Sequence, residues 1–321
     1  MKIFITRKIP DRGIKLLQDR GYELVVSPHT RVLTRDELIE MGKGVDGIIS
    51  QLTDKIDGSV VDAWGKQLKV IANYAVGYDN LNTKEIAERG VVMTNTPEVL
   101  TETVAEHTFA LMLAIAHRIA ESDRFSRAGK YHGWAPELLL GTDVSHKTLG
   151  IVGLGRIGSR VAHHAVKGFD MRVLYYDVKR NENFEKEFNA EFRENVDDIF
   201  KEADFISIHV PLLPTTQHLV NEIRLKLMKP TAYLINTSRG PIVDEAALRD
   251  ALKNNGIKGA AIDVWEHEPE LTPGLSDLEN IIITPHIASA TEETRQKMGE
   301  LAAKNIIEVL EGRPPVTPIK I

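Results

Sequence analysis

Gly150-Ile151-Val152-Gly153-Leu154-Gly155-Arg156-Ile157-Gly158 places three glycines, Gly153, Gly155 and Gly158, at the spacing of a loop that cradles phosphates. The spacing alone is weak, because a chain with 23 glycines produces it by chance. Its surroundings strengthen it. An apolar, strand-like run precedes it and a helical pattern follows. The next apolar run, Arg172-Val173-Leu174-Tyr175-Tyr176, ends in Asp177, 19 residues past Gly158. In such a loop Gly153 makes the tight turn, Gly155 admits a pyrophosphate to the backbone and Gly158 lets helix and strand pack closely. The helix N-terminus, with Arg156 and Ile157 in its first turn, then holds the negative charge. Asp177 stands where a carboxylate accepts both hydroxyls of an adenosine ribose. The chemistry is dinucleotide binding, and Asp177 favours NAD. It repels the extra 2′-phosphate of NADP by up to about 4 kcal/mol at roughly 4 Å. Lys179 and Arg180 follow Asp177 after Val178 and are able to attract that phosphate, which keeps NADP as the alternative.

A second set of reactive side chains closes later apolar runs. Arg239 follows Leu234-Ile235-Asn236-Thr237-Ser238, Glu268 sits before Pro269 in the segment opened by Asp263-Val264-Trp265, and His286 ends Thr284-Pro285-His286. Ligands of doubly wound sheets bind beyond the carboxyl ends of the strands, so charged residues there are candidates. Singly, each has a plain structural explanation: a surface cation, a turn acid before proline, a strand-end histidine satisfied by backbone. Their occurrence after three successive strand-like runs makes them a set. Glu266 and His267 read as surface residues. His163 and His164 are adjacent on a helix and cannot share a face, and no other ligand spacing appears, so no metal is expected.

The elements that must carry these groups alternate along the chain. Strands are expected at residues 2–6, 23–26, 47–50, 69–73 and 91–94, with helices at 11–20, 36–41 and 83–89. Asn82 with Glu85 has the form of a capping box. The alternation implies βαβ units and a mostly parallel sheet. Residues 101–128 hold no Gly or Pro and suit one long helix, and an irregular stretch at 129–147 follows. A second alternation then predicts six strands, at 148–153, 171–176, 205–209, 232–236, 258–262 and 281–284, with helices including 159–167, 196–201 and 245–253. A last helix spans about 291–311, capped by Ser289 with Glu292 and stopped by Gly312-Arg313-Pro314-Pro315. The expected class is α/β, with two doubly wound parallel-sheet domains and a cleft between them.

Composition agrees. The 321 residues suggest about two domains. Forty basic against 46 acidic residues give a net charge of −6, which argues against a nucleic-acid partner. The absence of cysteine excludes disulfides, thiolate metal sites and cysteine nucleophiles. The N-terminal apolar run is too short for a signal-peptide core. The longest apolar run, 109–116, falls short of the roughly 20 residues of a membrane span. A cytoplasmic chain without a membrane partner is expected.

Read together, Asn236-Thr237-Ser238-Arg239-Gly240, the segment from Asp263-Val264-Trp265 to Glu268-Pro269, and Thr284-Pro285-His286-Ile287-Ala288-Ser289-Ala290-Thr291 resemble the signatures of the D-isomer-specific 2-hydroxyacid dehydrogenases. Arg239 and Glu268 are 29 residues apart, Glu268 and His286 18. The resemblance runs from about Ile3 to Pro315. It implies a flavodoxin-like substrate domain from 1–99 and 289–321 and an NAD-binding Rossmann domain from 100–288. His286 is then the proton donor to a 2-oxo acid, since imidazole exchanges protons near neutral pH. Glu268 holds its other ring nitrogen, and Arg239 binds the substrate carboxylate with its guanidinium fork. Asp263 is implied on the nicotinamide carboxamide side, and Val210, Pro211 and Thr237 are expected to line the cofactor site.

Asn73-Tyr74-Ala75-Val76-Gly77-Tyr78-Asp79-Asn80 follows the fourth expected strand. A glycine there lets a ligand approach and successive amides form an anion nest. By resemblance the Val76 and Gly77 amides receive the substrate carboxylate. Within the family the chain is most similar to glyoxylate/hydroxypyruvate reductases, on this stretch and on Trp134-Ala135-Pro136 before Gly141. That similarity implies Leu52 in the substrate pocket and Trp134 reaching into the site of a neighbouring subunit, hence a homodimer. The expected activity is hydride transfer between NAD(H) and a small D-2-hydroxy acid or its 2-oxo acid. D-lactate or another D-2-hydroxy acid as substrate, and an NAD-sensing corepressor-like binding protein, stand as alternatives.

Overall fold

The computed structural model describes residues 1–320, so Ile321, the last residue of the expected split domain, lies outside the described residues. Two compact units divide the chain: Met1–Leu100 with the segment from Ala290 onward, and Thr101–Ser289.

The first unit runs β1 (Lys2–Ile5), α1 (Asp11–Asp19), β2 (Glu23–Val26), α2 (Arg35–Gly42), β3 (Gly47–Ser50), α3 (Gly58–Trp64), β4 (Val70–Asn73), α4 (Thr83–Ala87) and β5 (Val92–Thr94). Every residue of β3 and β4 is buried, as parallel strands covered on both faces require. The all-parallel sheet has the order β2-β1-β3-β4-β5. The side chain of Thr34 accepts from the Glu37 amide, and the Glu37 carboxylate accepts from that of Thr34, a full capping box that starts α2. The expected box at Asn82 is half made. Its side chain accepts from Glu85 N, but the Glu85 carboxylate takes the Gly58 amide instead, at 2.8 Å.

The second unit continues with α5 (Thr101–Ala116), α6 (Ile119–Arg127), β6 (Thr148–Val152), α7 (Arg156–Phe169), β7 (Arg172–Tyr176), α8 (Glu182–Phe188), β8 (Glu191–Phe192), α9 (Val196–Glu202), β9 (Phe205–Ile208), α10 (Glu222–Leu227), β10 (Tyr233–Asn236), α11 (Glu245–Lys253), β11 (Gly259–Ile262) and β12 (Ile281–Ile283). Its parallel sheet has the order β12-β11-β10-β9-β6-β7-β8. That is the Rossmann order with one further strand, and the chain reverses its winding between β6 and β9. Apolar clusters cover both faces, one around Leu149, Ile151, Val161 and Phe205, the other around Leu174, Phe200, Leu234 and Leu248.

Two expectations need correction here. The sheet has seven strands rather than six, because the two-residue edge strand β8 is too short to leave a period. The single helix over 101–128 is two helices. Arg118 sits in the left-handed region at φ 54°, and the Ala116 carbonyl that would continue α5 is taken by the Thr142 amide at 2.8 Å. Arg118 then clamps Glu121 through two hydrogen bonds of 2.7 Å, opening α6, which buries no residue.

The last helix, α12 (Glu292–Leu310), belongs to the first unit. Its cap is Thr291, whose side chain accepts from Thr294 N, and not the predicted Ser289. It packs over β3 and β4 and along α1, where Gly13 lies against the backbone of Gly299.

Candidate active site

The expected residues of the second unit gather at the carboxyl ends of its strands. After β6 the chain turns at Gly153, whose φ of 99° favours glycine and where a Cβ would meet the His209 carbonyl carbon at 2.8 Å. A Cβ on Gly158 would lie 2.1 Å from the Gly153 carbonyl oxygen, so that residue is held to glycine by packing. Gly155, the N-cap of α7, has nothing within 4 Å of its Cβ position, and no side chain caps the helix. Arg156 is exposed and Ile157 half-buried in the first turn. The loop is therefore closed beneath and open above. Uncapped amides and the helix dipole face the opening, which is what a dinucleotide pyrophosphate needs. Asp177, after β7, braces this loop: Oδ2 accepts from the Leu154 amide at 2.7 Å and Oδ1 from the Lys179 amide at 3.1 Å. An open cleft of about 640 Å³ lies over Leu154, Gly155 and Asp177. These residues fit the adenosine half of NAD.

Val210, after β9, is half-buried and its carbonyl accepts from Ser238 Oγ at 2.5 Å, with Pro211 exposed beside it. Thr237 Oγ1 lies 3.0 Å from Thr108 Oγ1 of α5. Next to them, burial pushes the His209 imidazole down to about 3, so it is neutral, with Nε2 2.8 Å from Ser207 Oγ.

Arg239 is presented by a turn built on Asn236, the buried last residue of β10. The Asn236 side chain accepts from Ser238 N at 3.0 Å and donates to the Arg239 carbonyl at 2.9 Å. Arg239 is half-buried and Nη1 donates to the Ser238 carbonyl at 2.8 Å. The next residue, Gly240, lies flat against another loop: a Cβ there would meet the Trp265 carbonyl carbon and oxygen at 1.9 Å. Trp265 in turn donates its amide to Glu268 Oε1 at 3.2 Å. Glu268 Oε2 lies 3.0 Å from His286 Nδ1, with both side chains about a quarter exposed. The structure thus joins the acid to the imidazole and seats the arginine loop on the backbone that carries the acid.

His286 itself is held in the left-handed region at φ 54°, its amide donating to the Asp263 and Thr284 carbonyls at 2.8 and 3.0 Å. Asp263 secures this turn from below. Its side chain is fully buried and accepts from Thr284 Oγ1 at 2.6 Å, Ile287 N at 2.9 Å and Ala288 N at 2.8 Å. His107 Nε2 approaches to 3.5 Å. Burial works to raise this carboxyl, but the hydrogen bonds from His107, Thr284, Ile287 and Ala288 outweigh it and hold it below its usual range. The residue expected to face the nicotinamide is therefore also the anchor of the histidine loop.

Sequence reasoning missed a second imidazole–carboxylate pair. Glu266, read as a surface residue, is partly buried and lies 2.6 Å from His218 Nε2. Its amide donates to Glu245, an acid with 1% exposure that also accepts from Thr272 Oγ1 at 2.6 Å. The partners are 21 to 48 residues apart, so no local spacing announces them. His267 is exposed, as read.

In the first unit, Val76 and Gly77 are half-buried. Their carbonyls accept from Asn95 Nδ2 at 2.7 Å and Asn73 Nδ2 at 3.0 Å, and among the described residues no acceptor takes either amide. Leu52 is half-buried after β3. Trp134 is 83% exposed, in the irregular stretch that also exposes Tyr131 and Leu140. Among the described residues no group of His, Cys, Asp or Glu could hold a metal ion, and no helix is long and apolar enough to cross a membrane.

Comparison with known proteins places this geometry. The family model for the D-isomer specific 2-hydroxyacid dehydrogenase, NAD binding domain, matches residues 109–288. The glyoxylate reductase of Pyrococcus furiosus is 45% identical over 320 residues, 98% of this chain and 94% of that protein. That of Korarchaeum cryptofilum is 47% identical over 317 residues, 98% and 94% of the two chains. Among solved structures, a Thermus thermophilus protein superposes with a TM-score of 0.94 at 42% identity, covering all of both chains. The NADPH-dependent glyoxylate/hydroxypyruvate reductase of Sinorhizobium meliloti, in complex with NADP and malonate, has a TM-score of 0.86 at 31% identity, covering 99% of this chain and 96% of that one. With more than half of its length matched by the family model and relatives aligned almost end to end, this chain belongs to the D-isomer-specific 2-hydroxyacid dehydrogenase family.

Proposed function

We propose that this dehydrogenase reduces small 2-oxo acids, glyoxylate or hydroxypyruvate first, to D-2-hydroxy acids with NADH. The observation that carries the reading is the 3.0 Å contact between His286 Nδ1 and Glu268 on the sheet that bears the glycine loop. Bound NADH supplies the hydride that the carbonyl carbon accepts. With Nδ1 committed to Glu268, the His286 nitrogen left to give the carbonyl oxygen its proton is Nε2. Glu268 fixes that tautomer and stabilises the charged ring before transfer. Arg239 pairs with the substrate carboxylate and polarises the carbonyl. The glycine loop from Gly153 to Gly158, with Arg156 and Ile157, holds the pyrophosphate, and Asp177 the ribose. Val210, Pro211, Thr237 and Asp263 border the nicotinamide half.

Val76 and Gly77, through amides that no acceptor takes among the described residues, and Leu52 make the remaining substrate contacts. In this reading the unit from Met1 to Leu100 with the returning C-terminal segment is the substrate domain, and Thr101–Ser289 the NAD domain. We place the enzyme in the cytoplasm as a homodimer. The exposed apolar side chains of Ile119, Tyr131, Trp134 and Leu140 support self-association.

Steady-state NADH oxidation with glyoxylate, hydroxypyruvate, pyruvate and phenylpyruvate tests the proposal. The first two should give the highest kcat/KM; a tenfold advantage for pyruvate or phenylpyruvate, by about 1.4 kcal/mol of transition-state preference, would reassign the substrate. Asp177→Ala should narrow the preference for NADH over NADPH by about tenfold or more, and should also weaken NADH, because the Leu154 amide loses its brace. An unchanged NADH/NADPH ratio would remove Asp177 from ribose recognition.

A further inference from the structure

Two cations, Lys179 and Arg180, follow Asp177 at the cleft over the glycine loop. A 2′-phosphate on the adenosine ribose would need such a cation. Arg180 is already engaged by another partner. Its Nε and Nη2 donate to Glu185 Oε1 and Oε2 of α8 at 2.9 and 2.8 Å, a bidentate pair, and its guanidinium lies 5.8 Å from the Phe192 ring centroid. Glu185 is held in its turn. Oε1 also accepts from the Tyr175 hydroxyl at 2.7 Å, and Tyr175, fully buried in β7, accepts from the Asn181 amide at 2.8 Å. The Glu185 carboxyl is driven down to about 2 by the hydrogen bonds from Arg180 and Tyr175, so the pair is charged at neutral pH.

We infer that Glu185 is a second determinant of dinucleotide selectivity, which acts by keeping the Arg180 guanidinium paired at the cleft that Asp177 lines. The inference rests on the NAD reading above and deepens it. Asp177 works by repulsion, whereas Glu185 withholds an attraction. The bidentate grip occupies the guanidinium edge best suited to a phosphate and neutralises its charge. Tyr175 and Asn181 fix the carboxylate from the β7 side, so the latch is part of the sheet and does not depend on a mobile surface contact. A free arginine at this position would favour NADPH even with Asp177 in place, though less than with Asp177 gone.

The test titrates NADH and NADPH by nucleotide fluorescence into the full-length wild type, Glu185→Gln, and Glu185→Gln combined with Arg180→Gln. Glutamine keeps an acceptor for Tyr175 but releases the guanidinium. Glu185→Gln should lower the Kd for NADPH about tenfold, with NADH unchanged within about twofold, and the gain should shrink as salt rises. The double variant should lose the gain. Should Glu185→Gln fail to fold, Arg180→Lys is the second probe: an ammonium keeps the charge but cannot span both carboxylate oxygens, and should tighten NADPH about threefold. No gain in either folded variant, or a gain that survives removal of Arg180, would overturn the inference. A wild type that fails to bind NADH would overturn the cofactor reading instead.

Discussion

Replacing His286 by alanine should lower kcat for glyoxylate reduction by about 10²–10⁴, the usual contribution of a positioned general acid, while NADH binds as before. The separation of effects follows from the geometry. The glycine loop and Asp177 stand on β6 and β7, and His286 on the far side of the sheet after β12. The histidine loop is held by backbone hydrogen bonds to Asp263 and Thr284, none of which uses the imidazole. Truncation should therefore cost little stability, and thermal melting should stay within about 2 °C of wild type for a change of a few tenths of a kcal/mol. Retained kcat in a folded His286→Ala enzyme would remove the residue from the mechanism.

Asp263→Ala should behave differently, losing stability and turnover together. The buried carboxylate accepts from Thr284, Ile287 and Ala288, and His107 stands beside it. Alanine leaves these donors without their acceptor inside the protein, a cost of about 3 kcal/mol measurable by chemical denaturation. The left-handed turn at His286 then loses its support, and kcat should fall by at least about tenfold. The acid response supplies a second check. Because the folded carboxyl sits below its ordinary value of 3.8, it binds a proton less readily folded than unfolded. Its stabilisation is complete above that value and disappears as pH falls through the depressed folded one. Asp263→Ala should thus have a shallower loss of stability below about pH 4 than the wild type. Equal slopes would mean that the carboxylate is not the anchor.

The parts of this site that were legible from sequence are those whose geometry is written locally. The glycine loop, its strand and Asp177 lie within one βαβ unit, where spacing along the chain is nearly spacing in space. Arg239, Glu268 and His286 could be proposed as a set because each follows a strand-like run within a motif of the resemblance, and the contact between the last two is as the resemblance implied. The supports were not legible. Glu245 follows the N-cap of α11 like any first-turn acid, yet it is buried and takes the Glu266 amide from 21 residues away. The break at Arg118 escaped because the left-handed residue is an arginine, held by Glu121, and because the Ala116 carbonyl is taken by the amide of distant Thr142. Glu185 is one acid among several in α8, and only its two partners distinguish it.

The return of α12 to the first unit has a consequence for biosynthesis. Residues 101–289 form a contiguous stretch of chain, but the sheet that emerges before them must await a helix from the far end, whose backbone meets α1 at Gly13 and Gly299. At about 5–20 residues per second, translation of the intervening stretch takes roughly 10–40 s. During that interval the nascent N-terminal third has β3 and β4 uncovered on one face. The nucleotide unit can finish its own folding before the ribosome releases the chain. A stalled or truncated product would therefore expose aliphatic surface from the first hundred residues, and chaperone demand should concentrate there.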